Sequence, residues 1–145
     1  MPVDKAMIQD KIDVIEKNLR FLSEYKTLKN NDFVKSYKDI QAVKYSLFEI
    51  IEACIDIAAH IISTKDLERA ETYAEMFEIL GKNTIIEKDL SNKLANMARF
   101  RNILVHSYAK VDNSKILLFV KEELDDVSHF IKSILKFIED KTLNS

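Results

Sequence analysis

The chain has 145 residues with a single Gly and a single Pro, and 47% of its side chains are hydrophobic against 32% charged. That length suits one domain, residues 1–145, with a real core, and almost nothing in it breaks a helix or forces a tight hairpin, so an all-α fold is expected. A formal net charge of −2 excludes the global basic field of a typical nucleic-acid binder, and one cysteine, Cys54, excludes an intrachain disulfide and suits a reducing, cytoplasmic compartment.

In chain order, Met7, Ile8, Ile12, Ile15, Leu19 and Leu22 recur at three-to-four spacing and predict a first helix from about Asp4 to Leu28. Asn30-Asn31-Asp32 supplies a stop and a fresh N-cap. A long second helix, roughly Phe33 to Ser63, follows and is ended by Thr64-Lys65-Asp66. A short third helix around Tyr73–Leu80 is closed by Gly81 as a C-terminal cap. Thr84-Ile85-Ile86-Glu87 can form a capping box for the fourth helix. Past the turn at Val111-Asp112-Asn113-Ser114, Leu117, Val120, Leu124, Val127, Ile131, Ile134, Leu135 and Ile138 mark the last helix, capped by Asp112 or Ser114. The expected architecture is an up-and-down bundle of about five helices.

The longest apolar run, Leu47 to Ile62, contains Glu49, Glu52, Asp56 and His60. Each acid would cost about 2.5–3.5 kcal/mol at a bilayer centre, so no membrane span is expected. No glycine-rich phosphate loop and no Cys/His pair with zinc spacing occurs, so neither a cofactor nor a metal site is expected. Tyr37, Tyr45 and Phe48 read as core rather than as a base-stacking platform, and His129 as an exposed or boundary residue.

The chemistry concentrates in Arg101-Asn102-Ile103-Leu104-Val105-His106-Ser107-Tyr108. A permanent cation, an imidazole able to trade protons near neutral pH, and a phenol lie within eight residues. The surrounding segment is locally basic: between residues 88 and 110, Lys88, Lys93, Arg99, Arg101 and Lys110 oppose Asp89 alone. At about 100° per residue, Leu90, Leu94, Met97, Arg101, Leu104 and Tyr108 fall on one stripe. Arg101 therefore stands where a hydrophobe belongs, and it must meet an anion, a carboxylate or a water-filled cleft. His106 lies about 140° away round an ideal helix, so either the helix ends before it or another subunit completes the site. Ile103, apolar on the side opposite the stripe, favours a second buried surface and hence dimerisation.

The second helix carries a matching oddity. Glu49, Glu52, Asp56 and His60 fall within about 80° on a segment that is otherwise apolar nearly all round. The seam either faces solvent, with an Asp56–His60 contact, or is aimed at Arg101 and His106, where it would orient the cation and raise imidazole basicity.

At these residues the chain resembles the HepT-like branch of the HEPN superfamily, over nearly its whole length. The family hallmark is Arg, four residues, His, one residue, Tyr, matched by Arg101, His106 and Tyr108. Ile50-Ile51-Glu52-Ala53-Cys54-Ile55-Asp56-Ile57-Ala58 resembles the family's long second helix, and Phe77-Glu78-Ile79-Leu80-Gly81 its third. Lys65-Asp66-Leu67-Glu68 departs from the Gly/Pro-rich loop often found there. The resemblance implies a homodimeric toxin that cuts RNA, paired with a minimal nucleotidyltransferase antitoxin that silences it by transferring AMP to Tyr108. His106 and Arg101 would then be catalytic, with Asn102, Glu52 and Asp56 supporting them. An alternative is a non-catalytic helical subunit that presents substrate to the nucleotidyltransferase.

Overall fold

A 28-residue helix, Tyr37–Thr64, runs through the centre of the computed structural model, which describes residues 2–106 and 112–140. Seven helices occur among those residues: α1 (Lys5–Ser23), α2 (Asn30–Val34), α3 (Tyr37–Thr64), α4 (Tyr73–Lys82), α5 (Lys88–Val105), α6 (Asn113–Glu122) and α7 (Leu124–Glu139). The all-α expectation stands, but the count of about five is corrected to seven. None of these helices is long and apolar enough to cross a membrane.

Each added break has a local cause. Helix α1 stops at Ser23, where the chain goes over to i→i+3 bonds, Tyr25 to Leu22 and Lys26 to Ser23. The Tyr25 ring packs edge-on against Phe21 and Phe33, and its hydroxyl donates to Asp39 at 2.9 Å. Burial, then that carboxylate, push the phenol up to about 12. Asn30-Asn31-Asp32 is not the cap of the long helix. It forms the start of α2, a single turn that buries Phe33, and Ser36 instead caps α3 by accepting from the Asp39 amide. The last predicted helix divides at Glu123, inside the run Glu122, Glu123, Asp125, Asp126, where like charges three and four residues apart weaken the helix. Asp112 caps α6 as expected, accepting from the Ser114 amide at 3.0 Å.

Gly81 does not cap α4. It lies inside the helix, and no glycine has positive φ. Left-handed backbone appears at Thr84 (φ 59°) and Asp66 (φ 52°) instead. At both, the following amide reaches back five residues: Ile85 to the Leu80 carbonyl at 3.0 Å and Leu67 to that of Ile62 at 2.9 Å. These are Schellman ends with a side chain where glycine is usual. Thr84 cannot also serve a capping box, and α5 begins after Glu87 without a side-chain cap bond.

Helix α3 packs against α1, α2, α4, α5 and α6, and α4 against α5. Its buried residues Ile50, Ile51, Ala53, Cys54, Ile55, Ile57 and Ala58 leave only a narrow partly exposed strip, formed by Glu49, Glu52, Asp56, Ala59 and His60. Cys54 is fully buried, and burial pushes its thiol well above the ordinary range, so it serves as a small apolar residue. Two buried polar contacts set helix positions. Ser46 on α3 donates to Asn18 on α1 at 2.7 Å, and Ser91 on α5 donates to the Phe77 carbonyl on α4 at 2.8 Å. Tyr37 and Tyr45, expected in the core, point outward, because α3 turns its apolar side to neighbours that leave those positions uncovered. His129 is exposed, as expected.

Candidate active site at the end of α5

The stripe read from the sequence is real: Leu90, Leu94, Met97 and Leu104 are all buried on α5. Arg101 occupies its place in that row with a side chain 19% exposed. The problem of a cation in an apolar stripe is solved by α3. The Arg101 Nε–H donates to Glu52 Oε1, while Phe48, one turn before Glu52, lies under the guanidinium with its ring centre 5.4 Å from Cζ. Tyr73, the first residue of α4, brings a second ring to 5.0 Å from Cζ. Two rings and a carboxylate, from α3 and α4, thus hold one planar cation of α5. Among the described residues, the Nη groups make no hydrogen bond, which leaves the broad end of the fork available to an anion.

Helix α5 ends at Val105, and His106 is its C-cap, with φ −83° and ψ 89° turning the chain off the helical path. Its amide donates to the Asn102 carbonyl at 3.1 Å. With a near-helical φ and this helical bond, His106 still leaves α5 about 140° round from Arg101, and its ψ of 89° acts only beyond its own side chain. His106 is exposed, as is Asn102. Phe100 and Phe119 stack at 4.7 Å and 2°, pinning α6 to the last turns of α5. Tyr108 lies outside the described residues.

The expected seam on α3 divides. Glu52 meets Arg101, as the sharper reading requires. Asp56 does not join it: its carboxylate pairs with Lys11 of α1 at 2.9 Å. His60 neither contacts Asp56 nor faces the motif, because its Nε2 accepts from the Asp4 amide at 2.9 Å. One helical turn decides the matter. The N-terminal half of the seam faces α5, and the C-terminal half lies under the start of α1. Asp56 is therefore corrected from supporting residue to a surface ion pair between α1 and α3.

Phe48 and Tyr73 carried no signal as site residues. Phe48 could have been found from its four-residue spacing to Glu52, but Tyr73 reaches Arg101 only through the α4–α5 packing. Beside this cluster a groove of about 430 Å³ is lined by Thr72, Tyr73 and Ala74 from α4 and by Ala98, Arg99 and Asn102 from α5. Arg99 is already engaged, with Asn96 at 2.7 Å and Glu78 at 3.1 Å. On the last turn of α5, Ile103 and Val105 are apolar side chains left 43% and 45% exposed next to the motif, on different sides of the helix.

The tRNA nuclease HepT of Aphanizomenon flos-aquae is 24% identical over 136 residues, covering 94% of this chain and 92% of its own. The mRNA nuclease HepT of Shewanella oneidensis is 32% identical over 104 residues, 72% of this chain and 78% of that protein. Among solved structures, the tri-AMPylated Shewanella oneidensis HEPN toxin in complex with its MNT antitoxin superposes with a TM-score of 0.82 at 28% identity, over 90% of this chain and 97% of that one. The family described as ribonuclease HepT-like matches residues 15–134, and with the Arg101 clamp and the helix end at His106 in place, the chain belongs to that family.

Proposed function

We propose that the protein is the toxin of a toxin–antitoxin pair, an endoribonuclease that cuts RNA without a metal and is silenced by AMP transfer to Tyr108. The observation that carries this reading is the Arg101 guanidinium, held by Glu52, Phe48 and Tyr73 five residues before an exposed histidine at a helix end. His106 takes the proton of a ribose 2′-hydroxyl, or gives one to the leaving 5′-oxygen. The freed 2′-oxygen attacks the adjacent phosphorus, the P–O5′ bond breaks, and Arg101 offsets the charge that builds on the phosphorane oxygens. Asn102 positions the substrate, and Glu52 positions Arg101. The nuclease names of the relatives favour this reading over that of a non-catalytic helical subunit.

Two protomers form the working unit, with the exposed Ile103 of α5 in their contact, and a minimal nucleotidyltransferase is the antitoxin. Tyr108 follows His106 by two residues. An adenylyl group there adds negative charge and bulk beside Arg101 and opposes a substrate phosphate.

The decisive experiment compares an RNA oligonucleotide with its all-deoxy counterpart. RNA is expected to be cut to products ending in 2′,3′-cyclic phosphate, with the deoxy strand intact. Comparable cleavage of the deoxy strand overturns the mechanism. Mass spectrometry after mixing with the antitoxin and ATP is expected to map AMP to Tyr108, and an adduct confined to other residues removes that part of the reading.

A further inference from the structure

We infer that Tyr73 and the groove beside it form a nucleobase slot, which takes the base next to the phosphate held by Arg101. This rests on the ribonuclease reading for the identity of the ligand, but its parts are independent of His106. The Tyr73 ring has one side over the Arg101 guanidinium at 5.0 Å, yet it remains 44% exposed. It opens onto the groove of about 430 Å³, a size within the roughly 300–1,000 Å³ of small-molecule sites.

The lining suits a flat, edge-polar ligand. Ala74 and Ala98 line the groove with small side chains beside Tyr73, and the exposed Asn102 carboxamide offers a donor and an acceptor in the same lining. That is the pairing a base edge requires, while the ring supplies a π-face on which any base can stack. Arg99 is not the anion site here, because Glu78 and Asn96 already hold its guanidinium. Phosphate is left to Arg101, next to Asn102 in the chain, so the base and its phosphate are bound by consecutive residues. Thr72 accepts from the Glu75 amide at 3.1 Å and fixes the start of α4, so the ring is presented from a capped helix end.

The test uses the full chain carrying His106→Ala, so that bound RNA stays whole, and measures binding of short 2′-O-methyl oligonucleotides by fluorescence anisotropy. Homopolymers of the four bases are compared with an abasic strand of the same length. Tyr73→Ala is expected to weaken the base-bearing strands by about 5- to 100-fold and the abasic strand several-fold less, since the latter loses only the ring's support of Arg101, whereas Tyr73→Phe keeps the affinity. Equal losses on base-bearing and abasic strands would mean that the ring only holds Arg101, and overturn the slot. Unchanged binding overturns it too. Should Tyr73→Ala fail to fold, Tyr73→Leu fills the same space without a π-face and is read the same way. A parent protein that binds RNA through Tyr73 but cuts none keeps the slot and removes the ribonuclease reading. One that cuts RNA with no dependence on Tyr73 does the opposite.

Discussion

His106→Ala is expected to slow RNA cleavage by about 10²–10⁴-fold, the usual contribution of a positioned general acid or base, with little change in KM. His106 stands exposed at a helix end, so a melting curve measured beside the rates separates a loss of chemistry from a loss of fold. Arg101→Ala is expected to cost about 10²–10³-fold in kcat, and here a structural effect is added. Its removal strands the partly buried Glu52 carboxylate beside Phe48. Arg101→Lys should not restore activity. An ammonium cannot lie flat beside two rings while donating sideways to Glu52, and it lacks the fork that grips a phosphate. The double variant should be about as slow as the worse single one, since the two groups act on the same step. Single-turnover cleavage of a labelled RNA measures all of this. Rates for either alanine variant within about twofold of the parent would end the catalytic assignment.

The second large effect concerns stability. Gly81→Ala would ordinarily favour a helix by about 0.5–1 kcal/mol. Here a Cβ at residue 81 would sit 2.4 Å from Ser91 Oγ and 2.5 Å from Ser91 Cβ. Ser91 cannot swing aside cheaply, because it is buried and tied to the Phe77 carbonyl. Helices α4 and α5 must separate, at a cost of about 1–3 kcal/mol, so the variant is expected to be less stable than the parent. Ser91→Gly in the same chain should recover part of the loss by vacating the space. Thr84→Gly should act in the opposite direction, gaining about 1 kcal/mol by relieving a β-branched residue at φ 59°. Urea midpoints compare the three. A stabilised Gly81→Ala protein would show that the close approach of α4 and α5 is not maintained in solution.

Both results bear on function through the same contact. The α4–α5 spacing that Gly81 permits also sets Tyr73 over Arg101 and forms the groove with Asn102. Loosening it should weaken the clamp as well as the fold.

The sequence by itself determined the helical period, the buried stripe of α5, the misfit of Arg101 within it and the polar seam on α3, because each is a repeat along one helix and needs no neighbour. Helix breaks at residues 24, 35 and 123 escaped it, since they come from aromatic packing, a buried Phe33 and repulsion among acids rather than from Gly or Pro. Position 81 misled for a related reason: glycine serves there to let two helices touch, a demand visible only once the second helix is present. Only the tertiary structure decided which acid of the seam answers Arg101. Glu52 and Asp56 are one turn apart on the same face, and what separates them is that α5 crosses one turn and α1 the other. Tyr73 belongs to that second kind of knowledge, since its place over the cation depends on where α4 begins in space.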